Sequence, residues 1–146
     1  MADRSRQADS DVLGSPVTGV DFVAVPTRDP QRAAKFYGET LGLERNPNSS
    51  DMWIEFETSN LTIALLPHEY TGRDEFVPSS GPIALRVPDV NEARRKLEEA
   101  GVEFKTDTID SGVCYQAFFE DPDGNMLAIH HRYAPTGTSP AADKPD

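Results

Sequence analysis

The sequence predicts an α+β fold: two βαβββ modules in tandem, their strands forming a curved eight-stranded sheet around a cup. Three observations carry this expectation. Short segments of strand periodicity are interspersed with two segments of helical periodicity. Each helical segment opens on an aspartate cap that follows a strand. One constant offset aligns Phe22 with Pro82, Asp29 with Asp89 and Ala33 with Ala93, so the order strand–helix–strand–strand–strand occurs twice. A single βαβββ sheet leaves one face bare. Two of them can curl around a shared cup with the helices outside.

The elements follow in order. Val20–Val25 alternates as a short strand. Asp29-Pro30 supplies an N-cap with proline at the first helical position. Ala33, Ala34, Phe36, Tyr37 and Leu41 recur at helical spacing, and Gly42 is a stop. "MWIEFE" and "LTIALL" read as strands around the turn residues Ser59-Asn60, and Pro67 to Gly81 reads as a polar connector. In the second half "PIALRV" is a strand. Asp89 caps a helix with Glu92 at capping-box spacing, its buried stripe is Val90, Ala93, Leu97 and Ala100, and Gly101 ends it. "VEFKTD", "VCYQAFFE" and "NMLAIHH" complete the set, the last two joined by the type I turn Asp121-Pro122-Asp123-Gly124. The expected boundaries are 17–67 for the first module, 68–81 for the connector and 82–133 for the second, together one domain of residues 17–133. Polar segments 1–16 and 134–146 are expected to be disordered tails.

Composition narrows the function. The net charge is −11, and without the two terminal segments 20 acidic and 11 basic residues remain, so the folded part is itself acidic. That argues against nucleic acid and favours a cationic over an anionic ligand at long range. No apolar run approaches the ~18 residues of a membrane span, so no membrane association is expected. A lone cysteine, Cys114, leaves no internal disulfide and no thiolate metal cluster. With no apolar leader in "MADRSRQADSDVLG", the expected compartment is the cytoplasm.

Three stretches carry a family resemblance: "VDFVAVPTRDPQRAAKFYGETLGLE", "GPIALRVPDVNEARRKLEEAGV" and "FFEDPDGNMLAI". In this order the chain resembles the vicinal oxygen chelate superfamily, with its glyoxalase/bleomycin resistance/dihydroxybiphenyl dioxygenase-like fold. Glyoxalase I, extradiol dioxygenases and bleomycin-resistance proteins belong to it. The resemblance spans roughly Val17 to Tyr133. It implies a divalent ion in the cup of the metal-dependent members, held by His, Gln or Glu from the strands that open and close each half. Carried onto this chain, the four ligand positions are Phe22, Ala64, Pro82 and Ala128. None has a donor atom on its side chain, whereas such ions need several imidazole or carboxylate groups converging. The expectation is therefore no metal and no cofactor. The resemblance also implies a homodimer.

Strand parity places Phe22, Ala64, Pro82 and Ala128 on the cup lining, with Thr62, Leu66, Ala84, Arg86, Met126 and His130 as same-face neighbours. His131 points the other way, so the His130–His131 pair cannot chelate one ion, and His68 lies in the connector. Trp53 and Tyr115 are candidate aromatic walls. Arg86 is either a ligand contact or the partner of Glu55 or Glu120. An apolar concave lining with few polar groups suits an organic molecule. The leading reading is a metal-independent protein that binds a small cationic or aromatic ligand, as in drug or metabolite sequestration and antibiotic resistance of the bleomycin-resistance type. Two readings stay open beside it. One is a glyoxalase-like lyase, isomerase or dioxygenase with His130 as base and Arg86 or Tyr115 stabilising charge. The other is a non-catalytic subunit or regulator.

Overall fold

The first strand, β1 (Phe22–Thr27), alternates as its sequence requires: Val25 and Thr27 are buried, while Phe22 and Ala24 are exposed on the other face. It belongs to a computed structural model that describes residues 14–137. Most of both expected tails lies outside the described residues. Pro26, which has no N–H to donate, is tolerated because β1 is the edge of its sheet. Helix α1 (Pro30–Lys35) starts where Asp29 accepts a hydrogen bond from Arg32 N–H at 3.1 Å. It then widens into a π-turn over Phe36–Thr40, closed by Leu41 N–H donating to Phe36 O at 2.9 Å. This wide turn presents Tyr37 to the interior, where it is fully buried. Gly38 sits so close that a Cβ there would meet the Phe56 ring at 3.2 Å.

Strands β2 (Glu44–Arg45), β3 (Ile54–Glu57) and β4 (Thr62–Pro67) complete a sheet ordered β1-β4-β3-β2, with β1 parallel to β4 and the other pairs antiparallel. A 3₁₀ turn at His68–Tyr70 opens the connector. The second module repeats the plan. β5 (Ile83–Arg86), helix α2 (Val90–Glu99), β6 (Ile109–Asp110), β7 (Cys114–Glu120) and β8 (Met126–Arg132) give a sheet ordered β5-β8-β7-β6. The eight strands thus form two four-stranded sheets of identical topology. The register repeats as well: Ala24 lies opposite Ala64, and Ala84 opposite Ala128.

Two expectations need correction. "VEFKTD" is not a strand. Phe104 makes one isolated bridge to Phe119, and the edge strand comes later, at β6. Arg94 explains the departure: its guanidinium covers the Phe104 ring at 4.6 Å and donates to Thr106 O at 2.9 Å, drawing the segment onto α2. Ala100 is exposed, and of the expected buried stripe of α2 only Val90 is fully buried, Ala93 and Leu97 being half-buried against the core. Its outer face is laced by Arg95 with Glu92 and Glu99.

One apolar core joins the modules. Val25, Tyr37, Phe56, Ile63 and Leu65 from the first pack into the same cluster as Val90, Phe119, Leu127 and Ile129 from the second. Each of these side chains contributes about 1.5–3 kcal/mol on burial. The sheet faces opposite this core carry the predicted lining.

Candidate functional site

Parity holds on β1, β4, β5 and β8. Ile63, Leu65, Leu127 and Ile129 face the core, so Phe22, Ala64, Ala128 and His130 lie on the other faces. Ala64 and Ala128 are nonetheless buried, as small side chains between larger neighbours. Pro82 precedes β5 and is exposed. Arg86 lies directly opposite His130, which brings those two candidates onto adjacent strands. The partner of Arg86 is neither glutamate considered from the sequence: its Nη2 donates to Ser59 Oγ at 2.7 Å, and Glu120 pairs with Lys105 at 3.2 Å. His131 turns away from His130, with Nδ1 3.2 Å from Val87 O.

Trp53 joins Phe22. Their rings meet edge to face at 5.4 Å, and Trp53 Nε1–H donates to Glu55 Oε2 at 2.7 Å. Asn46 Nδ2 donates to Glu55 and Glu57, and Thr62 Oγ1 donates to Glu57 at 2.7 Å. The first module's open face is therefore aromatic and acidic. The alternation in "WIEFE" already places Trp53, Glu55 and Glu57 on one side. Tyr115 is not brought to the corresponding face of the second module. It pairs with His131 and packs on Tyr133 at 4.8 Å between ring centres. Gln116 and Phe118, opposite His130 and Ala128, take that face instead.

A second polar cluster was missed by sequence reasoning because its members look like ordinary turn residues. Asp121, Asp123 and Asn125 are all buried. Asp121 accepts from the Tyr37 hydroxyl and from Asn125 Nδ2, each at 2.8 Å, and its other oxygen accepts the N–H of Asp123 and Asn125 at 2.9 Å. Asp123 accepts from Thr27 Oγ1 at 2.6 Å and from Arg28 N–H at 2.9 Å. Asn125 completes the set, donating to Pro26 O and accepting from Ser79 N–H, both at 2.8 Å. Burial, together with the Asp121 charge and its hydrogen bond, raises the Tyr37 phenol far above its ordinary pKa. Every oxygen of the two carboxylates is engaged. The cluster therefore locks the β7–β8 turn to β1, the π-turn after α1 and the connector.

The profile of the Glyoxalase/Bleomycin resistance protein/Dioxygenase superfamily matches residues 19–129. The chain belongs to this superfamily. Solved structures share the fold. A glyoxalase/bleomycin resistance protein/dioxygenase from Nocardioides superposes with a TM-score of 0.68 at 17% identity, over 94% of this chain and 99% of that one. A superfamily member from Sphaerobacter thermophilus gives 0.66 at 26% identity, over 80% and 98% of the two chains. TnmS3, an antibiotic binding protein from Streptomyces sp. CB03234, gives 0.67 at 24%, again over 80% and 98%. None of the curated proteins compared with the chain matches it.

For this glyoxalase-superfamily chain, the donor set decides whether a divalent ion fits the four positions expected from the sequence. Phe22, Ala64, Pro82 and Ala128 offer no nitrogen, oxygen or sulfur side-chain atom, and they do not fit it. Among the described residues no group of three His, Cys, Asp or Glu side chains converges as a metal site. No helix among them is long and apolar enough to cross a membrane.

Proposed function

We propose that this superfamily member binds a small organic molecule on the open faces of its sheets without a metal ion. One observation carries the reading. The four inherited ligand positions have lost their donor atoms in both modules, while the registers Ala24–Ala64 and Ala84–Ala128 around them are kept. A scaffold that retains its strand geometry but offers small or apolar side chains there suits binding better than Lewis-acid chemistry.

The ligand class follows from the first module. Trp53 and Phe22 provide a ring surface, and Glu55 and Glu57 provide carboxylates beside it, which together suit an aromatic or cationic guest. The net charge of −11 attracts such a guest at long range. The antibiotic-binding role of TnmS3 on the same fold is consistent with sequestration. In this reading residues 17–67 and 82–133 act as the two binding modules of a cytoplasmic homodimer, with a second copy covering the open faces.

Trp53 is the one tryptophan in the chain, so its emission reports directly on this face. A thermal-shift screen of cationic antibiotics and aromatic metabolites, followed by Trp53 fluorescence titration, tests the proposal. The expected result is a ligand that raises the melting temperature and changes Trp53 emission, equally with and without EDTA. Loss of that binding in EDTA, with a stoichiometric metal in the purified protein, would overturn it.

A further inference from the structure

The internal repeat creates two equivalent boundaries between the modules, and they are lined by different chemistry. At the first, Thr27 and Tyr37 are held by Asp123 and Asp121. The alignment that takes Ala33 to Ala93 takes Tyr37 to Leu97 and Thr27 to Val87. The alignment that takes Ala64 to Ala128 takes Ser59 to Asp123. At the second boundary leucine, valine and serine stand for Tyr37, Thr27 and Asp123. Glu57, which the same alignment takes to Asp121, is held by Thr62 and Asn46 within its own module. Arg86–Ser59 is a hydrogen bond that spans this boundary.

Beside the lock a smaller hollow of about 420 Å³ remains, lined by Arg32, Glu103, Lys105, Glu120 and Asp121 among others, whereas the second boundary holds a larger and more apolar one. A cavity of about 670 Å³ runs beside the edge strand β5, between α2 and the β3–β4 turn. This lies within the roughly 300–1,000 Å³ of small-molecule sites. Its walls are mainly apolar, with Leu41, Leu43, Ile63, Leu85 and Leu97 among them, and Thr58, Ser59 and Asn60 line it on the side of the β3–β4 turn. Arg86 and Lys96 are the charged residues lining it, and no carboxylate does, although the chain carries 25 acidic residues against 14 basic ones. Both cations are exposed, so they stand at the mouth rather than the floor. Glu92, one turn before Lys96, is engaged by Arg95 at 2.6 Å.

We propose that this boundary cavity is a second binding site, separate from the open sheet faces, for an elongated apolar molecule bearing a carboxylate. The apolar body enters between the modules. The carboxylate stays at the mouth, where Lys96 and Arg86 can donate charge-assisted hydrogen bonds, Arg86 exchanging its Ser59 contact for the ligand. The charge preference is opposite to that of the first module's face, which makes the two sites distinguishable.

Decanoate, decanol and decylammonium, titrated into the full chain with methyl-resolved NMR, test this. Decanoate is expected to shift the methyl signals of Leu41, Ile83 and Leu97 saturably, and to bind more tightly than decylammonium. Lys96→Gln, a change at an exposed position that spares the core, should weaken decanoate by about tenfold and leave decanol unchanged. Ala93→Phe, which fills the cavity, should abolish binding of both. The proposal is overturned if decanoate causes no saturable shifts, if they fall on Ala24, Ala64 and Ala128 instead, or if decylammonium binds as tightly. None of these outcomes bears on whether a cationic guest quenches Trp53, so the two sites stand or fall separately.

Discussion

Replacing Asp123 with alanine removes the acceptor at the centre of the inter-module lock. Asp123 is only 6% exposed, and three donors converge on it: Thr27 Oγ1 at 2.6 Å, Arg28 N–H at 2.9 Å and Arg28 Nε at 3.4 Å. The third belongs to a side chain 57% exposed and adds little, because solvent screens it. The other two are short bonds to a charged acceptor, each of about 1.5–3 kcal/mol, and truncation leaves both donors without it. The expected loss is about 3–5 kcal/mol, a large part of the roughly 5–15 kcal/mol that holds a domain folded. Asp123→Asn keeps one acceptor oxygen for Arg28 N–H and should lose less, about 1–2 kcal/mol.

Urea unfolding followed by Trp53 fluorescence and by circular dichroism measures both variants. A double-mutant cycle with Thr27→Val isolates the 2.6 Å contact, with an expected coupling of about 1–2 kcal/mol. Two results would refute the reasoning: a loss below about 1 kcal/mol for Asp123→Ala, or strict additivity with Thr27→Val. Either would mean that the turn is held by its own backbone and not by its grip on the first module.

The remaining predictions concern the lock and the caps. The Tyr37 phenol keeps its proton in the fold at pH values where the unfolded one, with an ordinary pKa of 10.0, releases it. Its contribution is therefore complete below pH 10 and falls above it by up to about 1.4 kcal/mol per pH unit. Tyr37→Phe should remove that slope from denaturation midpoints, and an unchanged slope would sink the assignment. Gly124 has φ 87°, and a Cβ there meets Pro78 at a comfortable 3.7 Å, so Gly124→Ala should cost about 1–2 kcal/mol through conformation alone. Thermal melts with Gly124→Asn as the milder comparison check it. Asp89→Ala removes the cap on Glu92 N–H at 3.0 Å and should cost about 1 kcal/mol, with a measurable loss of helical ellipticity.

Local signals were legible in the sequence and long-range ones were not. Both aspartate caps and the faces of β1, β4 and β8 follow from spacing alone, since each depends on residues a few positions apart. β2 and β6 are two residues long and too short to show alternation. Tyr115 shows where periodicity lacks information: "VCYQAFF" is apolar at positions of both parities, so composition cannot set the phase of β7, and pairing with His131 does. Arg86 could be assigned a carboxylate partner from charge, but Ser59 is the residue that the module boundary brings to it. Asp121 and Asp123 read as turn formers because their partners, Tyr37 and Thr27, lie in the other module.

The turn at Asp121–Gly124 therefore has two jobs that the sequence shows as one. Its Asp-Pro and Gly positions shape a tight connection and so set the β7–β8 register that places Ala128 opposite Phe118. Its carboxylates, turned inward, fasten the second module to the first. A duplicated fold needs its halves joined, yet equivalent locks at both boundaries would fill both with buried charge, each acceptor requiring its own set of donors. Here one boundary carries the polar lock and the other is left apolar, bridged by an exposed arginine and serine. That asymmetry fastens the modules at one end and leaves the larger, more apolar cavity at the other. In the first half Glu57 is the residue aligned with Asp121, and Thr62 and Asn46 hold it within its own module, so the Thr58–Leu61 segment that lines the cavity carries no acid.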